Sequence, residues 1–236
     1  NERMLSILGR VSELSRDKRL CVVLGSKSPR RIELLRDNVL GGKVDVVVAP
    51  SNFKEDYDKS LYVDRAKEYV REYAVEKARD VEKAILSGDK MHLVGKAEYI
   101  VLVTADTVVT LDGRILEKPN SHEEAVSMLL GYSERSPEVI TGACLIVLKR
   151  SDQGEVIHRG ETVFDEKTTV CFSKLDEHFV KAYVATDEPM DKAGGYGIQG
   201  LGSQLISSIN GCYFNVVGLP VFQVASHMLK AVRKVI

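Results

Sequence analysis

Leu20-Cys21-Val22-Val23-Leu24-Gly25-Ser26-Lys27-Ser28-Pro29-Arg30-Arg31-Ile32-Glu33-Leu34-Leu35 decides the fold class of this chain. Five apolar residues rich in valine and leucine read as a buried strand, and Gly25 stops it. Ser28 fits the N-cap of a helix and Pro29 its first position, where a missing N–H costs nothing. A strand that turns directly into a helix is the unit of an α/β protein. Arg30 and Arg31 fall in the first helical turn, where the macrodipole disfavours cations. They are either two solvated arginines or part of an anion site completed by free backbone N–H groups. GxxxxGK[ST] is absent, so the turn is no P-loop.

Outward from this unit the periodicities alternate. Val44–Ala49 reads as a second strand, and residues 61–86 carry one apolar stripe through Ala66, Val70, Tyr73, Ala74, Ala78, Val81 and Ile85. Tyr99–Val103 and Val108–Leu111 read as strands on either side of Thr104–Thr107, with Asp112-Gly113 as a hairpin turn. Ser121 followed by Glu124 opens a helix with a capping-box pattern. Residues 139–149 and 161–172 read as strands around the polar stretch 151–160, and residues 176–185 as a helix. Gln204–Ile209 and Tyr213–Val217 read as short strands, and Pro220 opens the last helix. The pattern predicts one compact, mixed α/β unit without a linker, with or without a secondary lobe. An N-terminal helical extension covers residues 1–19, with Met4, Leu5, Leu8, Val11 and Leu14 on one side, and one domain covers residues 20–236.

Composition narrows the function. Of 236 residues, 33 are Lys or Arg and 34 Asp or Glu, so a net charge of −1 gives no bulk field to gather a nucleic-acid polymer or an anionic membrane. The longest apolar runs fall far short of the roughly 20 residues a membrane span needs. Residues 1–20 lack the continuous apolar core of a signal peptide, though residue 1 is Asn rather than Met. Four scattered cysteines without a CxxC pair read as free thiols of a reducing, cytoplasmic protein.

Other candidate residues each carry two readings. Asp106, between apolar runs, is a turn cap, or a carboxylate that binds a divalent cation or activates water. Lys77, on the edge of the helical stripe, either snorkels along the core or reaches into a cleft. Lys118, in Glu117-Lys118-Pro119, alone is a surface lysine. The acidic loop 54–58 is a solvated connection, or any of its carboxylates Glu55, Asp56 and Asp58 holds Mg2+. Gly195-Tyr196-Gly197-Ile198-Gln199-Gly200 matches GxGxxG, but no strand precedes it, so a Rossmann reading fails. Its glycines suit tight turns or close approach to a ligand, and Gln199 can read a base edge. Five scattered histidines form no HxH or HExxH pattern, and GxSxG is absent.

Taken together, Ser26–Leu35, Glu76-Lys77-Ala78, Ala105-Asp106-Thr107-Val108-Val109, Glu117-Lys118-Pro119, Thr141-Gly142, Asp187–Gly200 and Asn215-Val216-Val217-Gly218-Leu219-Pro220 resemble, in order, the motifs of the Maf (septum-formation-like) nucleoside triphosphate pyrophosphatases. That resemblance spans roughly residues 20–235. It implies an α/β fold with a mixed sheet, flanking helices and a central cleft, shared with inosine-triphosphate pyrophosphatases, and hydrolysis of a nucleoside triphosphate to the monophosphate and pyrophosphate. The implied cofactor is Mg2+, with Mn2+ or Co2+ as substitutes. Asp106 would accept the proton, and Arg31, Lys77, Lys118 and Glu55 would line the active site. By the chemistry of their carboxylates, Glu55 or Asp106 would hold the metal, with Asp106 divided between general base and ligand. Ser26 and Ser28 would bind substrate, while Arg30, Thr107 and Gln199 would mark the dTTP/UTP subgroup rather than the 7-methyl-GTP one. The resemblance also implies a house-cleaning role and a homodimer. Competing readings are a nucleotide-binding regulator of cell division with little hydrolysis, and a pyrophosphatase for other modified nucleotides.

Overall fold

The computed structural model describes residue 9 and residues 11–235. Most of the helix expected over Met4 to Leu14 therefore lies outside the described residues. Residues 11–16 are helical, and Val11 and Leu14 are buried.

Among the described residues, seven strands form one mixed sheet: β1 Leu20–Leu24, β2 Val46–Val48, β3 Tyr99–Leu111, β4 Arg114–Leu116, β5 Glu138–Arg150, β6 Val156–Phe172 and β7 Ile206–Asn210. Their order is β2-β1-β3-β5-β6-β7, with β4 also on β3. β1 runs parallel to β2 and β3, and the other pairs are antiparallel. The helices used below are α1 Pro29–Glu33, α2 Ala66–Leu86, α3 His122–Leu130, α4 Glu177–Val184, α5 Tyr213–Val217 and α6 Val221–Arg233. None of the described helices is long and apolar enough to cross a membrane.

Side-chain alternation along β3 divides the core. Val101, Val103 and Ala105 pack with Val224, Met228 and Val232 of α6. Ile100 and Leu102 point the other way, onto Ala74, Ala78, Val81 and Ile85 of α2. Each such fully buried Val or Ile side chain contributes about 1.5–3 kcal/mol of burial. A third cluster, with Leu129 of α3, Val180 of α4, Val170 and Tyr196, fills the far end. The crossing of α2 over the sheet requires Gly142, where a Cβ would lie 2.4 Å from the backbone carbon and oxygen of Val70.

The feature that makes room for a site is on one edge of β3. β1 covers that edge from Tyr99 to Val103, and β4 covers it from Val109 to Leu111. Neither strand pairs with residues 104–108, and a cleft opens there. The turn after β1 leaves on one side of this gap and the segment after β4 on the other.

Four local expectations are corrected. Thr104–Thr107 does not interrupt two strands but lies inside continuous β3, because α2 partners Thr104 and Asp106 while Arg31 and Thr141 partner Thr107. Thr104 Oγ1 donates to Ala74 O at 2.6 Å. Residues 156–160 belong to β6 despite their polarity, because that part of the strand is largely exposed. Tyr213–Val217 is a helix rather than a strand, anchored by the buried Asn215 amide and ended by Gly218 at φ 127°. The polar break after α2 contains one helical turn, Met91–Val94.

Candidate active site

The floor of the cleft is an ion pair. Asp106 projects from β3 on the α2 face, and Lys77 of α2 reaches it, with Nζ donating to Oδ1 at 2.7 Å. Each residue is only 8% exposed, so the lysine that could have snorkelled points inward. Burial pushes the Asp106 carboxyl above the usual carboxylate range, and the cations Lys77 and Arg31 only partly offset this. Lys77 Nζ also lies 2.9 Å from Glu55 Oε1 and 5.7 Å from the centroid of the Tyr73 ring.

Aromatic packing places Glu55. Phe53 and Tyr57 each meet the Tyr73 ring edge-on, at 5.8 and 4.8 Å, and Tyr57 N–H donates to the Tyr73 hydroxyl at 2.8 Å. Asp80 of α2 accepts from Ser51 Oγ at 2.9 Å and Asn52 N at 2.8 Å. These contacts pin the acidic loop to α2 and set its Glu55 against Lys77.

The turn after β1 supplies the cationic wall. Ser28 caps α1 and accepts from Arg31 N at 3.4 Å, and Ser26 Oγ accepts from Ser28 N at 3.2 Å. α1 is five residues long and passes into a π-helical turn over Leu34–Val39, so its dipole is that of little more than one turn. The guanidinium of Arg31 carries more weight than that dipole. Its Nε donates to Gly218 O at 2.9 Å, Nη2 to Thr107 Oγ1 at 2.9 Å and Nη1 to Ser26 Oγ at 3.4 Å. Two of its five N–H groups are left over. No ion pair among the described residues involves Arg31, and burial lowers its pKa. A half-buried guanidinium without a carboxylate partner suits an anionic ligand.

Arg30 faces Asp191 at 3.6 Å, a pair exposed enough to be worth little. Lys118 comes from beyond β4, across the gap. A groove of about 790 Å3 is bordered by Ser26, Ser28, Arg30, Arg31, Glu55, Lys77, Asp106, Thr107 and Lys118. A second cavity of about 380 Å3 adjoins it and shares Ser28, Arg30, Arg31, Thr107 and Lys118. Gln199 lies on this second cavity and not on the groove. All the residues singled out in the sequence thus meet around one two-part cleft.

Several lining residues were not singled out. Asp191, Lys192, Tyr196 and Glu188 border the smaller cavity. The Glu188 carboxylate accepts from Leu201 N at 2.9 Å, Gly202 N at 3.1 Å and the Tyr183 hydroxyl at 3.1 Å, which folds the glycine-rich loop over the cavity. The signal for them was their place in the run Asp187–Gly200, which names a loop and not a role.

Among the described residues, no group of three or more His, Cys, Asp or Glu side chains is arranged around a metal position. Two carboxylates do converge, however, and Lys77 engages one oxygen of each, which leaves Asp106 Oδ2 and Glu55 Oε2 available. Mg2+ is commonly held by one or two carboxylates together with substrate phosphates, so this pair fits such an ion.

The model of the Maf-like protein family matches residues 21–232. The chain belongs to the Maf-like family. It is 36% identical over 211 residues to the dTTP/UTP pyrophosphatase of Clostridium botulinum (strain Eklund 17B / Type B), covering 89% of this Maf-like chain and 99% of that protein. With the dTTP/UTP pyrophosphatase of Thermosipho africanus (strain TCF52B) it shares 41% identity over 206 residues, 86% of this chain and 89% of the other. A Homo sapiens protein named "Probable bifunctional dTTP/UTP pyrophosphatase/methyltransferase protein" is 40% identical over 209 residues. That match covers 89% of this chain but only 32% of the human protein.

Proposed function

We propose that the protein is a metal-dependent nucleoside triphosphate pyrophosphatase that converts dTTP and UTP to the monophosphate and pyrophosphate. One observation carries the reading: the buried Lys77–Asp106 pair lies on the floor of a cationic groove that continues into a second cavity of about 380 Å3. The groove suits a triphosphate and the adjoining cavity a nucleoside. The names of the bacterial relatives, matched over nearly their whole length, support the same substrates.

In this reading Arg31, with two unused N–H groups, and Arg30 hold phosphate oxygens, and Lys118 faces them from across the gap. Asp106 accepts a proton from water as the water oxygen joins one phosphorus of the α–β anhydride. The bridging oxygen leaves on the other phosphorus with the bond's electron pair. Lys77 keeps Asp106 ionised in a dry place and neutralises charge that builds up as the anhydride opens. Asp106 and Glu55 would hold Mg2+, Mn2+ or Co2+. Such an ion would neutralise phosphate charge and polarise the anhydride. Thr107 and Gln199, on the wall of the smaller cavity, contact the base.

The test is pyrophosphate release from dTTP and UTP with added Mg2+. Asp106→Asn should lower kcat by about 10²–10⁴-fold, the usual worth of a general base, with an unchanged circular-dichroism spectrum. Dialysis against a chelator should stop turnover, and Mg2+ should restore it. Wild-type turnover in Asp106→Asn would remove Asp106 as the base. Tight nucleotide binding without turnover across several metals would make the protein a nucleotide-binding regulator.

A further inference from the structure

Thr107, Thr141 and Thr168 form a diagonal row across β3, β5 and β6. Thr107 and Thr141 are direct cross-strand partners, and Thr168 stands opposite Val139, two residues before Thr141. Side-chain alternation therefore puts all three on one face of the sheet. Thr141 and Thr168 are 0% exposed. α5 lies on this row. Its Asn215, also 0% exposed, donates from Nδ2 to Val139 O and to Thr168 Oγ1, both at 3.0 Å. Those two bonds fix the Asn215 backbone carbonyl 3.5 Å from Thr141 Oγ1. Polar groups in so dry a place are costly unless each proton has a destination, so their protons can be counted.

A hydroxyl has one proton and two lone pairs, and a guanidinium only donates. Arg31 Nη2 therefore gives a proton to Thr107 Oγ1. Thr141 Oγ1 has two polar neighbours, Thr107 Oγ1 at 2.9 Å and Asn215 O at 3.5 Å. If Thr141 donates to Asn215 O, Thr107 donates to Thr141 and keeps one lone pair for the cavity. If Thr141 donates to Thr107 instead, Thr107 keeps its proton for the cavity. One buried proton thus decides whether Thr107 offers a ligand an acceptor or a donor. The first arrangement makes two hydrogen bonds among these groups and the second makes one.

We propose that Thr141, with the Asn215 carbonyl as its acceptor, is a positioning residue that fixes the Thr107 hydroxyl as an acceptor toward the base. It thereby selects the imide N3–H of uracil and thymine over cytosine, whose N3 carries only a lone pair. The proposal rests on the pyrophosphatase reading for its kinetic assay and on the place of Thr107 on the cavity wall.

Thr141→Val keeps the branched shape and removes the hydroxyl, so the proton of Thr107 becomes free to turn to the cavity. The kcat/KM preference for UTP over CTP should then fall about tenfold, the worth of one hydrogen bond, and Thr141→Ser should restore it. Thr141→Ala reads the same ratio if the valine variant does not fold. An unchanged ratio, an equal loss on both nucleotides, or a wild-type protein with no preference for UTP over CTP would overturn the proposal. Calorimetric binding of the α,β-imido analogues of UTP and CTP reads the same preference without turnover. A protein that releases no pyrophosphate would thus refute the enzymatic reading, while the ratio of binding constants would still decide the role of Thr141.

Discussion

Replacing Lys77 with methionine removes an ammonium and keeps most of its apolar stem. Lys77 Nζ stands 2.7 Å from Asp106 Oδ1 and 2.9 Å from Glu55 Oε1, with side-chain exposures of 10% for Lys77, 11% for Asp106 and 54% for Glu55. Glu55 can turn to water, whereas Asp106 is left charged and buried. Removing one partner of a buried pair costs about 3–5 kcal/mol. At roughly 2–4 °C per kcal/mol for a chain of this size, Lys77→Met should melt about 6–20 °C lower. Burial already raises the Asp106 pKa against the pull of Lys77, and loss of Lys77 raises it further. An acid whose folded pKa exceeds its unfolded one destabilises the fold above that folded pKa. The penalty fades as pH falls through the folded value and is gone below the unfolded value of about 3.9, where both states are protonated. The loss should therefore be larger at pH 8 than at pH 5. Adding Asp106→Asn removes the orphaned charge and should recover most of the loss. Urea unfolding of wild type, both single variants and the double variant, at both pH values, measures each term. A penalty equal at the two pH values and untouched by the second substitution would refute the argument. Lys77 would then be held by the packing of its stem.

Two further outcomes follow from the geometry. Gly142→Ala places a methyl carbon 2.4 Å from Val70 backbone atoms, so α2 must shift. Overpacking of this kind costs about 1–3 kcal/mol, and kcat should fall with it because Lys77 rides on the same helix; urea unfolding and pyrophosphate release check both. Because the base must be ionised and burial raises its pKa, the acidic limb of the kcat/KM profile should have its midpoint above about 3.9, the ordinary aspartate value. A midpoint at or below that value would contradict the role given to Asp106.

The strand, turn and short helix of residues 20–33 were legible because local rules decide them: a β-branched apolar run, a glycine stop, a serine cap and a proline at the first helical position. Thr104–Thr107 was misread because its polar side chains find partners far away in sequence, Thr104 at Ala74, Asp106 at Lys77 and Thr107 at Arg31 and Thr141. The inward direction of Lys77 was equally hidden, since a lysine on the edge of a stripe has the same spacing whether it snorkels or pairs. Tyr213–Val217 has the composition of a strand, and only its seat on β5 and β6 makes it a helix. The placement of Glu55 had a readable sign in the tyrosines Tyr69 and Tyr73 and the ring residues Phe53 and Tyr57, which pack together. Their meeting still depends on how the loop returns to α2. Lys118 had no such local sign, because its neighbours in the cleft come from segments on both sides of it in the chain.

The bond from Arg31 Nε to Gly218 O joins residues 187 positions apart. During synthesis, at about 5–20 residues per second, Arg31 leaves the ribosome many seconds before its acceptor exists. Until then its guanidinium has only the Ser26 and Thr107 hydroxyls to hold it, and one of its three anchors is missing. A chain cut short before Gly218 would therefore carry every acidic and basic group of the groove and still lack this anchor and part of the wall of the smaller cavity. The bond between Arg31 and Gly218 thus reports that two segments far apart in sequence have met.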